Sequence, residues 1–304
     1  LQKLDTISIV VVCDNHYIIL LATLIKSIEV NHHSFEKIDI YIVEDNVSNK
    51  NKIKLLSSIE TELITLHWLE IKTCIPKHIR LPLDRSSYPL NIYVRLFIPY
   101  FLPPGISKVI YMDVDMIVQS DISNLWNIDL GDKIVAAVMD PSVKTVSNNW
   151  GGIKNYQELG LSACTKYFNS GLLIIKTQKL LKLNITEKII SCIVSNKQYA
   201  KYPDQYGLNV VLANQWLEID SRWNHFASDN SREYEPFIIH FVGRKPIYKS
   251  YRNHNIYKNL FYRYLLSTKW QYFQPIGESC RYIKKIKNLV KKVSILHLPH
   301  LLHN

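Results

Sequence analysis

Residues 7–46, ISIVVVCDNHYIILLATLIKSIEVNHHSFEKIDIYIVEDN, decide the fold class. Ile7 to Cys13 is a β-branched apolar run of strand length that stops at the polar cluster Asp14, Asn15 and His16. A helical pattern follows over Ile18 to Val30, and a second strand-like run, Ile38 to Val43, stops at Glu44, Asp45 and Asn46. Strand, helix and strand in this order make parallel neighbours, because a parallel pair needs a crossover of about a dozen residues or more. Further on, the pattern predicts a helix over residues 49–59, then strands at Ile64 to Leu69, Val109 to Tyr111, Ile134 to Val138 and Gly171 to Ile175. It also predicts a helix over residues 178–198, another starting at Asp204 and Gln205, and a last strand from Ile238 to His240. The expected architecture is α/β, a mostly parallel sheet flanked by helices. Ligands of such sheets collect beyond the carboxyl ends of the strands, where Asp14, Glu44 and Asp113 fall.

The most informative segment for chemistry is VIYMDVDMIV, residues 109–118. In an extended chain residues two apart share a side, so Asp113 and Asp115 can reach one hard cation while Val114 turns away. Two like charges this close need a cation or hydrogen-bond donors, and a divalent ion meets that need. A solvated turn accounts for many D-x-D triplets, but the apolar flanks on both sides describe a nearly buried strand.

With 304 residues, 47% of them hydrophobic, the chain can bury a large core as one large domain or two smaller ones. Asp14, Asn15 and His16 interrupt the most apolar early stretch, short of the ~20 apolar residues of a spanning helix. No signal-peptide layout is visible. Cys13, Cys74, Cys164, Cys192 and Cys280 are odd in number, scattered and without a C-x-x-C pair. That usage argues against zinc and a disulfide framework, and predicts a cytoplasmic protein.

The formal charge is +11, and its position matters more than its size. Residues 244–304 hold 13 of the 37 Lys and Arg but one of the 26 acids, Glu278, so they carry +12 and residues 1–243 carry −1. A neutral body with a basic tail is suited to an anionic surface. Within the tail, Ile283, Ile286, Leu289, Val290, Val293 and Leu296 recur at helical spacing among Lys284, Lys285, Lys287, Lys291 and Lys292. Such a helix can lie on an anionic membrane or dock on the body.

Six segments follow one another between about residue 7 and residue 250: VVCDNHY, YVRLFIPYFLP, VIYMDVDMIVQSDISNLWNIDLGD, YFNSGLLIIK, YPDQYGLN and IIHFVGRKP. In this order they resemble the retaining nucleotide-sugar glycosyltransferases of family 8, a group that includes glycogenin and bacterial lipo-oligosaccharide galactosyltransferases. It implies a GT-A fold with a Rossmann-like nucleotide-binding core over residues 1–250, and leaves residues 251–304 as a basic, aromatic-rich helical extension. It also implies Mn²⁺ or Mg²⁺ held by Asp113, Asp115 and His240, and a UDP-sugar donor contacted by Asp14, Tyr17, Arg95, Asp113, Val114, Asp115, Asn169, Gly243 and Lys245. By the same resemblance Asp14 would contact the uracil and Tyr17 would stack on it. The catalytic set would be Gln205, Asp140 and Asp204, with Asp204 binding the transferred sugar and Gln205 on the face of its anomeric carbon opposite the leaving group, and Asn169 and Asp140 would touch the donor sugar or the acceptor.

Galactose is favoured over glucose because the DVD, DQ and HFVGRKP set is closest to the lipo-oligosaccharide galactosyltransferases. Asn15 and His16 stand where relatives often carry another acid, a departure that bears on the ribose contacts, and Arg244 beside Lys245 competes for the pyrophosphate. The acceptor is expected to be a lipid-linked or protein-linked glycan, with the enzyme peripheral on the inner face of the cytoplasmic membrane and no nucleic acid bound. Two other classes share part of the pattern. A metal-dependent phosphotransferase also starts from D-x-D after a strand, though it wants Thr or Val where Ile117 stands, and a nucleic-acid or acidic-partner binding protein could use the basic, Tyr-rich tail.

Overall fold

A computed structural model of the chain describes residues 6–82, 89–229 and 234–297, with side chains to residue 290. The first elements are β1 (Ile7–Asp14), α1 (Ile18–Asn31), β2 (Ile38–Asp45), α2 (Asn49–Leu56), β3 (Ile64–Glu70) and the short α3 (Ile71–Cys74). A 3₁₀ segment, Leu90–Phe97, leads into α4 (Ile98–Phe101), β4 (Lys108–Met112), β5 (Met116–Val118), α5 (Ile122–Trp126) and β6 (Val135–Met139). Then come β7 (Phe168–Lys176), α6 (Thr177–Lys182), α7 (Ile185–Ser195), α8 (Pro203–Val211), β8 (Trp216–Glu218), β9 (His225–Phe226) and β10 (Ile238–His240). Helices α9 (Asn255–Leu266) and α10 (Glu278–His297) follow.

The main sheet runs β3-β2-β1-β4-β7-β6-β8, parallel except where β7 lies antiparallel to β4 and β6. This is the α/β sheet that the opening residues predict. Alternate residues of one strand enter different cores: Ile9 and Val11 pack in one cluster, Val10 in the other. A sheet covered on both faces needs apolar residues at both parities, hence the run Ile9 to Cys13 of β1. Helix α1 is buried on nearly every side, down to Lys26, which pairs with Glu29 at 2.5 Å. Tyr257, Phe261, Tyr264, Leu265 and Trp270 belong to the same core cluster as β1 and α1, so the core continues across residue 250 without a break.

Three boundaries differ from the sequence pattern. The helix expected over residues 49–59 ends at Leu56. That expected over residues 178–198 is two helices, separated by Asn184 in the left-handed conformation at φ 50°. Asn tolerates that region better than most residues, so it can punctuate a helical pattern without Gly or Pro.

The third difference is functional. Residues 109–118 do not form one extended strand: β4 stays in the main sheet, while β5 joins β10 and β9 in a separate three-stranded sheet. Asp113, Val114 and Asp115 form the turn between the sheets, so the carboxylates converge through that turn rather than through strand alternation. Its ends are pinned by main-chain bonds, from the Asp113 N–H to the Gly171 carbonyl at 2.8 Å and from the Phe241 N–H to the Asp115 carbonyl at 2.8 Å.

Candidate active site

Asp113, Asp115 and His240 converge at this seam, with one ligand atom from each lying within 4.8 Å of the others. His240 Nε2 is 3.5 Å from Asp115 Oδ1 and 3.9 Å from Asp113 Oδ2. Its Nδ1 is 2.9 Å from Asn224 Oδ1, and since that oxygen can only accept, Nδ1 carries a proton and Nε2 is the ring atom that faces the carboxylates. Two carboxylates and one imidazole nitrogen suit a divalent cation such as Mn²⁺, and the separations are those of neighbouring ligands around one ion. Burial alone would raise the Asp115 carboxyl, but Lys245 and His240 outweigh it and hold the group below the usual carboxylate range.

Gly171 is the residue of this centre that the sequence reading passed over. A Cβ there would lie 2.5 Å from His240 Cε1 and 2.9 Å from Asp113 Oδ2, closer than packing allows. Gly171→Ala is therefore expected to lower Mn²⁺ affinity about 10–100-fold without removing a ligand, in the range seen when supporting residues of metal sites are changed. Calorimetric titration with Mn²⁺ alone checks this, and an unchanged affinity would show that the centre can shift to accommodate a methyl group.

Arg95 links Asp113 to Asp204. The buried guanidinium lies 3.0 Å from Asp113 Oδ1 and 3.3 Å from Asp204 Oδ2, and donates to Ser170 Oγ at 3.1 Å while stacking over the Tyr111 ring at 4.6 Å. Burial works against its charge, yet Asp113, Tyr111 and Asp204 more than compensate and hold it protonated. Burial also pushes the Asp204 carboxyl up, with Arg95 opposing. Asp204 lies in the first turn of α8, whose N-cap residue is Tyr202.

A hydrogen-bonded network surrounds the partly exposed Gln205. Its Oε1 accepts from the Ser170 N–H at 3.0 Å and from Asn169 Nδ2 at 3.3 Å, and its Nε2 donates to Asp140 Oδ2 at 3.3 Å. Asp140 Oδ1 accepts from the N–H groups of Ser142 and Val143 at 2.9 and 3.0 Å. Asn224 donates to Asn169 Oδ1 at 2.9 Å, so one chain of amides joins His240 to Gln205. Asn224 and Ser170 were not singled out in the sequence, where an isolated Asn and a Ser inside a strand carry no pattern.

At the carboxyl end of β1, Asp14 Oδ1 accepts the N–H groups of His16 and Tyr17, each at 3.0 Å. Asp14 Oδ2 is paired with Lys284 of α10, whose ammonium also stands 4.4 Å from the centre of the Tyr17 ring. The imidazole of His16 lies 2.8 Å from Tyr248 Oη, and Asn15 Oδ1 takes the Ser48 N–H at 3.0 Å. Lys245 Nζ pairs with Asp115 and donates to the Phe241 carbonyl at 2.9 Å, whereas Arg244 turns to Glu278 at 3.6 Å. The two adjacent bases thus separate, only Lys245 reaching the metal ligands. Gly243 at φ 80° makes the turn between His240 and Lys245, and the Val114 side chain is buried in the core, leaving its main chain for any contact.

The model of glycosyl transferase family 8 matches residues 8–246. General stress protein A of Bacillus subtilis is 28% identical over 289 residues, covering 89% of this chain and 96% of its own. Lipopolysaccharide 1,2-glucosyltransferase of Escherichia coli K12 is 28% identical over 218 residues, covering 69% of this chain and 60% of that protein. Among solved structures, the galactosyltransferase LgtC in complex with donor and acceptor sugar analogues shares the fold at TM-score 0.72 and 20% identity, over 88% of this chain and 100% of that one. The bifunctional glycosyltransferase WbbM does so at TM-score 0.73 and 21% identity, over 88% of this chain and 50% of that one.

Proposed function

Since the chain belongs to glycosyl transferase family 8, we propose that it moves a hexose, galactose before glucose, from a UDP-sugar to a hydroxyl of a glycan acceptor with retention of configuration. The observation that carries the reading is the continuous constellation from Asp113, Asp115 and His240 through Arg95 to Asp204 and Gln205. A divalent cation held by the three ligands would supply positive charge to the diphosphate leaving group. Lys245, next to Asp115, adds a mobile cation for the same phosphate charge. Arg95 holds Asp113 toward the metal and Asp204 toward the sugar with a single rigid guanidinium. Asp14 and Tyr17 offer an acceptor and a ring face for the uracil.

Gln205 is an amide, a poor nucleophile, whose orientation is fixed from both ends by Ser170 and Asp140. Its role is then electrostatic support of the developing cationic sugar. No side chain of the constellation is placed as an obvious general base, which suits a transfer in which the β-phosphate of the leaving UDP takes the acceptor proton. Gln205→Ala should lower kcat about a hundredfold and change the donor KM little, because the interaction is made chiefly in the transition state. Unchanged kcat with raised KM would reassign Gln205 to ground-state binding.

The acceptor we propose is a lipo-oligosaccharide or surface glycoprotein glycan, met at the inner face of the cytoplasmic membrane. Among the described residues no helix is long and apolar enough to cross a membrane. Helix α10 instead exposes Tyr282, Ile283, Ile286 and Val290, each at least half accessible, beside its lysines. An amphipathic basic helix with an uncovered apolar stripe suits an anionic bilayer surface. Lys291, Lys292, Val293 and Leu296 would extend it, and their side chains lie outside those described. The test of the whole reading is UDP release across a set of nucleotide sugars with Mn²⁺. Release with no UDP-hexose would overturn it.

A further inference from the structure

We propose that Lys284 of α10 is an internal competitor for the uracil subsite, and that binding of α10 to an anionic surface relieves the competition. The inference rests on the reading of Asp14 and Tyr17 as the base-binding pair. Both features that the base would use are engaged by one ammonium group. Asp14 Oδ1 is committed to the N–H groups of His16 and Tyr17, which leaves Oδ2 for a base N–H, and Oδ2 is paired with Lys284. The same Nζ stands 4.4 Å from the centre of the Tyr17 ring, on a face where a base would stack. The pair is well shielded, with 14% of the Lys284 side chain and 17% of the Asp14 side chain accessible, so water does not screen it fully.

Helix α10 is built to be drawn outward. Its first turn is anchored by Glu278, which accepts from Ser250 Oγ and pairs with Arg281 at 3.1 Å and Arg244 at 3.6 Å. One and a half turns later Lys284 reaches inward, while Ile283, Ile286 and Val290 remain exposed at 50%, 59% and 58%. Among the described side chains the helix thus turns Lys284 toward the body and Ile283, Ile286 and Val290 away from it, the reverse of a helix held by its apolar face. An anionic bilayer offers burial to that stripe and counter-charge to the lysines together. Nucleotide binding and surface binding both gain when Lys284 leaves Asp14, so each must favour the other.

The experiment measures affinity for UDP and for pyrophosphate, each with Mn²⁺, by calorimetry on the full chain and on Lys284→Ala. Removing a lysine beside an anion site ordinarily weakens anion binding. Relief of competition has the opposite sign: UDP should bind Lys284→Ala about fivefold more tightly, while pyrophosphate, which has no base, should not gain. Vesicles of phosphatidylglycerol and phosphatidylcholine should raise the UDP affinity of the natural chain toward that of the variant, and phosphatidylcholine alone should not. Unchanged or weaker UDP binding by Lys284→Ala overturns the inference, as does vesicle insensitivity of the natural chain. The base reading is checked separately through Asp14→Ala, which should lose its preference for UDP over pyrophosphate. If that preference survives, the uracil binds elsewhere and the reading beneath the inference fails; if it is lost while Lys284→Ala is inert, the inference alone fails.

Discussion

Asp113→Ala is expected to lower kcat/KM for sugar transfer at least about a thousandfold, the scale of losing a principal electrostatic stabiliser of the leaving group. Asp113 does more than offer a ligand oxygen. Its Oδ1 accepts from Arg95 at 3.0 Å and from Tyr111 Oη at 2.8 Å, while Oδ2 faces His240. Deleting the carboxylate removes a ligand and one partner of a buried guanidinium together. EDTA should abolish transfer by the natural enzyme to a similar degree, with recovery on adding Mn²⁺. Activity within tenfold of normal in chelator would remove the metal from the chemistry and with it the proposed role of His240.

Arg95→Met carries the largest expected loss of stability. The change leaves Asp113 and Asp204 without their cation in a site where Asp204 is 93% shielded, given its relative exposure of 7%. Breaking a buried pair by removing one partner costs about 3–5 kcal/mol. For a chain of this size that is a fall in Tm of about 5–8 °C, together with loss of transfer. The double variant Arg95→Met, Asp204→Asn should recover part of the Tm and none of the activity, because it relieves an uncompensated charge without restoring the link. A single variant that melts like the natural protein would show that water or a cation already screens the two carboxylates.

Much of this was legible in the sequence because the fold is written in apolar runs. The apolar runs Ile9 to Cys13 in β1 and Ile40 to Val43 in β2 announce a sheet covered on both faces, and the polar residues that end them mark the ligand rim. Asp113, Asp115 and His240 were readable as a set only through the order of six motifs, since 124 residues of chain separate Asp115 from the His240 side of the centre. What escaped were residues whose importance is made by tertiary placement. Gly171 looks like any glycine in a strand until His240 is placed against it. Asn224 matters because it holds a proton on His240 Nδ1, and Lys284 looked like one of several tail lysines until α10 was seen to aim it at Asp14. The D-x-D turn was misread as strand because apolar residues on both sides are equally compatible with one long strand or with two short ones in different sheets.

The pairing of β10 with β5 sets His240 opposite Met116, Ile239 opposite Ile117 and Ile238 opposite Val118. Side chains alternate between faces along a strand, so a slip of one residue carries every side chain to the wrong face. Here it would present Ile239 or Phe241, both fully buried, to the two carboxylates and drive the imidazole into the apolar core. The small sheet therefore acts as a ruler for the metal centre. Substitutions around it are graded in effect, but the alignment of β10 on β5 is all or none, so an insertion or deletion between Phe226 and Ile238 preserves the centre only where β10 keeps this frame.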